Sequence, residues 1–142
     1  MPIDATFDEK RRLLRVKVTG TWPTLPEIVA ERSRLILAGM IRPGVVELVD
    51  ARGVNKNIPN LSQMQAILHS ISKPPDRRAI IVGSNVQLSA GRIAELLDPK
   101  GLKVFRDDED AALKWLLSED RSDPPVKFDR SASGRIAVVR RR

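Results

Sequence analysis

The stretch Val45–Val54, VVELVDARGV, constrains this chain more than any other. Its apolar run reads as a buried strand that stops at Asp50 and hands the chain to a polar loop, Ala51 to Asn60, before a helix begins. A strand without a solvated face belongs to a sheet covered by helices, as in parallel α/β domains. In such domains, groups just past the carboxyl ends of the strands form the recognition rim. Asp50, Arg52 and Gly53 fall at that position.

The flanking segments supply the rest of such a domain. Arg12–Thr19 alternates, with Leu14, Val16 and Val18 on one face and Arg15, Lys17 and Thr19 on the other, as a half-exposed strand does. A short strand near Ile3–Phe7 and a turn over Asp8–Arg11 predict a leading hairpin. Gly20, Trp22 and Pro23 end the second strand, and a helix opens at Thr24 or Pro26 and reaches about Ala38, with Gly39 capping it. Arg32 falls on or beside the stripe formed by Ile28, Val29, Leu35 and Ile36. Its stem is expected on the core, with its head snorkelling outward.

A second helix is predicted from a capping box of Ser62 and Gln65, with Leu61 as hydrophobic staple. Met64, Ile67, Leu68 and Ile71 keep helical spacing until Pro74 and Pro75 stop it. Ala79–Val82 is a short apolar strand, and a third helix follows Asn85 with Val86, Ala90, Ile93, Ala94 and Leu97 on one face. Lys103–Phe105 is the last strand. Asp107 or Asp108 opens a fourth helix, whose acidic first turn suits the helix dipole and whose Ala112, Trp115 and Leu116 face inward.

The order ββαβαβαβα demands right-handed crossovers and a mixed, mostly parallel sheet of about five strands with about four helices. A length of 142 residues suits one domain with a single core. That domain is expected over residues 1–120, with a linker and basic tail over 121–142. The absence of cysteine excludes disulfides and thiolate ligands, so the cytoplasm is the expected location. The first twelve residues carry no apolar signal-peptide core, and no run approaches the roughly 20 apolar residues of a membrane-spanning helix.

Of the net charge of +7, residues 126–142 supply +5, from six basic residues against Asp129, which leaves +2 for residues 1–125. With five aromatics in the whole chain and no stacking cluster, the body has no nucleic-acid footprint. The lone His69 has neither a second histidine nor a cysteine with which to build a triad or a metal site.

Three motifs carry a resemblance: VTGTW at Val18–Trp22, VELVDARGV at Val46–Val54 and VFRDDEDAALKWL at Val104–Leu116. With the element order, over about residues 5 to 118, the chain resembles the STAS-domain superfamily, which includes anti-sigma-factor antagonists and the cytoplasmic domains of sulfate transporters. More narrowly, it is similar to the small SpoIIAA-like bacterial proteins. The resemblance implies a non-enzymatic regulatory module that binds a protein. Antagonists of this superfamily carry a phosphorylatable serine in an Asp-Ser-Ser/Thr-Gly turn. Here the matching stretch is Asn57–Ser62, and only Ser62 remains near the position.

The ligand- or partner-binding candidates are Asp50, Arg52, Gly53, Asn55, Ser62, Gly83, Ser84 and Asn85. Asp50 and Arg52 either orient a ligand or serve as loop anchors, and Gly83–Asn85 either hold an anion or form a turn with a helix cap. The run Asp107–Asp110 reads as helix capping, since calcium-loop spacing is missing. Neither a catalytic residue, a metal nor a cofactor is called for. The leading reading is recognition of a protein or a small anionic or apolar ligand at the rim, with a homodimer left open. The rivals are an enzyme using Asp50 and Arg52, and a carrier of lipid or another amphiphile, which would need a cavity among the helices.

Arg140, Arg141 and Arg142 make the tail the expected seat of any contact with RNA or an anionic membrane. Binding of the full chain to RNA and to anionic vesicles should therefore weaken steeply with salt, and residues 1–125 should show little of it. Equal affinities of the two forms would refute this.

Overall fold

The computed structural model describes residues 3–71, 75 and 77–118. In chain order the elements are β1 (Ile3–Asp8), β2 (Leu13–Thr21), α1 (Leu25–Leu37), β3 (Val46–Lys56), α2 (Leu61–Ser70), β4 (Arg77–Val82), α3 (Asn85–Leu97), β5 (Leu102–Arg106) and α4 (Glu109–Leu116). The fold is α/β, with the predicted element order. The five strands lie in sequential order, β1 antiparallel to β2 and the remaining pairs parallel. The expected tail and its boundary near residue 120 lie outside the described residues, as do Pro74 and Arg140–Arg142.

Sequential order has a direct consequence. Right-handed crossovers that all step the same way along a sheet place their helices on one face. Accordingly α1, α2 and α3 form one layer, over Leu14, Val16, Val49, Val54, Val82 and Val104. α4 follows the last strand and crosses to the opposite face, where Ala112 and Leu116 pack on Leu13, Val46, Leu48, Ala79 and Ile81. β3 is thus covered on both sides, which explains its apolar composition.

Several local expectations are corrected. β3 does not stop at Asp50, and the polar loop begins only after Lys56, because β2 continues through Gly20 to Thr21 and keeps pairing with it. Between the pairs Lys17–Asp50 and Thr19–Gly53, β3 carries one extra residue, so Ala51 and Val54, three apart, both turn to the helix layer. The α2 capping box is Asn60 with Gln63, not Ser62 with Gln65: the Asn60 side chain accepts from the Gln63 N–H at 2.9 Å, and Gln63 Oε1 accepts from the Asn60 N–H at 2.9 Å. Leu61 therefore stands inside the helix, half exposed, and does not act as a staple. On α3, Val86, Ile93 and Leu97 face outward or to the margin, and the buried positions are Gln87, Gly91 and Ala94. Gln87 is drawn inward by hydrogen bonds described below, which rotates the helix away from the face that hydropathy suggests.

Gly91 shows how closely α3 approaches the sheet. A Cβ built there would lie 2.7 Å from both methyl carbons of Val104. Gly91→Ala should lower stability by about 1–3 kcal/mol through overpacking, despite alanine's higher helix propensity. Thermal melting measures it, and an unchanged or raised Tm would show that the helix can lift off at no cost.

Candidate functional site

The carboxyl edge of the sheet gathers most of the predicted candidates. The Asp50 carboxylate accepts from the Arg52 backbone N–H at 3.1 Å, from Arg52 Nε at 3.0 Å and from Arg52 Nη2 at 2.8 Å. Arg52 Nη2 also reaches Glu109 Oε1 at 3.5 Å, and the other oxygen of Glu109, in the first turn of α4, accepts from Arg15 at 3.1 Å. Arg52 packs over Gly83, where a Cβ would stand 3.4 Å from the arginine stem. Ser84 is the N-cap of α3, accepting from the Gln87 N–H at 3.2 Å, and Asn85 Oδ1 accepts from Arg106 at 2.5 Å. Gly53 pairs with Thr19, and Asn55 stands exposed near the end of β3. Ser62 sits exposed in the first turn of α2, and among the described residues no hydrogen bond or ion pair joins it to this group.

Gln87 organises this edge, and sequence reading missed it. Its side-chain amide donates to the carbonyls of Ala51 at 3.0 Å and Val54 at 2.5 Å, and its Oε1 accepts from the Gly83 N–H at 2.6 Å. It thereby satisfies the backbone groups freed where the β2–β3 register shifts. A polar residue at an inward helical position was the available signal.

The second feature lies beneath the three-helix layer. A cavity of about 160 Å³, almost wholly apolar, runs between the sheet and α1, α2 and α3, touching Ile28, Met64, Leu68, Ile80 and Ala90 among others. An engineered apolar cavity of similar size, about 150 Å³, holds benzene. Three charged side chains are buried at its wall: Glu47, Arg78 and Arg32, with side-chain exposures of 2%, 6% and 13%. Glu47 Oε1 accepts from Arg78 Nε at 3.2 Å, and Glu47 Oε2 from Arg32 Nη1 at 3.3 Å. The Arg32 head therefore does not snorkel outward, as its sequence position suggested. The carboxylate in the middle of β3 draws it inward, since a buried carboxylate without partners would cost several kcal/mol.

Two guanidinium groups face one carboxylate here. Arg32 Nη2 lies 3.2 Å from Glu47 Oε1 without hydrogen-bond alignment, and neither it nor Arg78 Nη2 has a hydrogen-bond partner. Burial pushes the Arg78 guanidinium below the ordinary arginine range; Glu47 pulls it back and Arg32 pushes it further down. Reading Val45–Val49 as a simple apolar run passed over Glu47. A carboxylate at that point of a buried strand, with an arginine on the apolar stripe of the preceding helix, was the signal.

This architecture is that of a SpoIIAA-like α/β module. Among solved structures, the chain is similar to an uncharacterized protein from the DUF3478 family with a SpoIIAA-like fold, from Shewanella loihica PV-4. The two are 25% identical, the match covers 80% of this chain and 91% of that one, and the TM-score is 0.56. No family model matches the chain, and no curated protein matches it. The likeness shows the SpoIIAA-like fold, which fits a binding or regulatory module. Among the described residues, no helix is long and apolar enough to cross a membrane.

Hydrogen bonding from Arg52 holds the Asp50 carboxyl below the ordinary aspartate range, against a smaller opposing effect of burial. A lowered carboxyl pKa adds stability above the unfolded value, about 3.9, and that stability is lost as pH falls through the folded value. Asp50→Asn should therefore melt below the parent at neutral pH, by no more than about 1 kcal/mol for a part-exposed pair. The gap should close as pH drops below about 4. Melting curves across pH check this, and a gap that persists in acid would show that the carboxylate charge is not what Arg52 reads.

Proposed function

We propose that this protein is a non-enzymatic binding module that takes a small, largely apolar molecule into the cavity between its three-helix layer and its sheet. The observation that carries this reading is the cavity: apolar walls, enough volume for an organic ligand, and a few polar groups converging on it. At about 160 Å³ the space is larger than the water-sized voids that well-packed interiors leave. The rim supports recognition less well. Both oxygens of Asp50 are taken by Arg52, and Asn85 is engaged by Arg106. A partner docking there would first have to displace these contacts.

The neutral fluorescent probe N-phenyl-1-naphthylamine tests the reading. It should bind the full chain with blue-shifted, enhanced emission. Ala90→Leu, which fills the cavity from α3 with a good helix former, should weaken that binding about tenfold, equivalent to about 1.4 kcal/mol, without lowering Tm. Absence of probe binding, or binding unchanged by the filling substitution, would overturn the cavity as the ligand site.

A further inference from the structure

We propose that the cavity's ligand is a monoanionic amphiphile, an alkyl chain with one carboxylate, whose head is held by Arg32 and Arg78 while its chain lies along the apolar wall. This rests on the cavity reading above and specifies its ligand. Three side chains that line the cavity keep buried N–H groups without a hydrogen-bond partner: Trp22 Nε1, Arg32 Nη2 and Arg78 Nη2. All three are donors, and each is covered by neighbouring atoms, so an acceptor entering the cavity meets them only once these side chains turn toward it. The acceptors of Glu47 are engaged on both oxygens, by Arg78 and by Arg32. What the site lacks is an acceptor.

The charges point the same way. Glu31 also lines the cavity, but Arg34 holds both of its oxygens, at 3.0 and 2.6 Å, so that pair is neutral. Asp98 acts on Arg78 from the C-cap of α3, where it is half exposed and accepts from the Gly101 N–H; part of its field is spent in solvent. Within the cavity wall, two guanidinium groups remain against the single carboxylate of Glu47. A neutral apolar ligand would leave the donors unsatisfied and the excess positive charge unbalanced. A cation would be repelled. A monoanion supplies one negative charge and acceptor oxygens that match the guanidinium fork. The apolar remainder of the wall requires that the rest of the molecule be hydrocarbon.

Displacement of N-phenyl-1-naphthylamine from the 142-residue chain by octanoate, octanol and octyltrimethylammonium provides the test, since only cavity-bound ligand is scored and anions held elsewhere on a basic chain are not. Octanoate should displace the probe at a concentration about tenfold below octanol, as for a charge-assisted hydrogen bond, and the cation should displace it least. Arg32→Gln should bring octanoate to within about threefold of octanol and leave octanol unchanged. Glu47→Gln keeps both arginines and removes the competing carboxylate, so it should bind octanoate more tightly than the parent and be stabilised by it more strongly against heat. Equal displacement by octanoate and octanol in the parent, or a preference retained in Arg32→Gln of unchanged circular dichroism, would overturn the anion inference while leaving the cavity reading intact. Failure of the probe itself to bind would overturn both.

Discussion

Sequential strand order is the constraint from which the rest of this structure follows. Four neighbouring parallel strands joined by three crossovers of one hand can only place α1, α2 and α3 on the same side of the sheet. The opposite face then depends on α4, whose Ala112 and Leu116 close over Leu13, Val46, Leu48, Ala79 and Ile81. Among the described residues, one face is covered in part by this single short helix, with Lys17 exposed beside it, and the other is roofed by three helices that must share a twisted surface. The cavity lies under that roof, with side chains from all three helices in its wall.

The buried group around Glu47 links that roof to the sheet. Glu47 extends from β3, Arg78 from β4 and Arg32 from α1, so one carboxylate ties a helix to two strands. Buried ion pairs add little net stability, because the desolvation of both partners offsets most of their attraction, whereas removal of one partner leaves a charge stranded. Such a group therefore specifies an arrangement more than it stabilises one. Its position at the wall of an otherwise apolar space separates it from an ordinary structural ion pair. The donors that Glu47 does not satisfy are where a ligand with acceptor oxygens would find partners.

The carboxyl rim behaves differently, although it holds most of the polar candidates. Asp50, Arg52, Glu109 and Arg15 form a chain of ion pairs across β2, β3 and the first turn of α4, on the α4 side of the sheet. Gln87 closes the same edge from the other layer by taking up the carbonyls of Ala51 and Val54. These contacts spend the rim's polar groups on one another. The geometry therefore favours order at this edge.

The amino-acid sequence by itself determined the class of fold, the order of elements and the leading hairpin. Hydrophobic periodicity, proline and glycine punctuation and the acidic start of α4 are local signals, readable without neighbours. It also brought Asp50, Arg52, Gly83, Ser84 and Asn85 toward one edge, because the ends of parallel strands must converge there. Tertiary structure alone decided the remainder. The extension of β3 to Lys56 depends on pairing with β2 and on an extra residue in that pairing, and strand register is a property of two segments. The inward turn of Gln87 depends on carbonyls that only the folded β3 presents. The union of Arg32, Glu47 and Arg78 depends on how α1, β3 and β4 pack together, and the cavity on how three helices share one face. The charges of Glu47 and Arg32 were visible in the sequence, but that they would meet, with Arg78 as a third partner, was not, because such partners are chosen by packing and not by spacing.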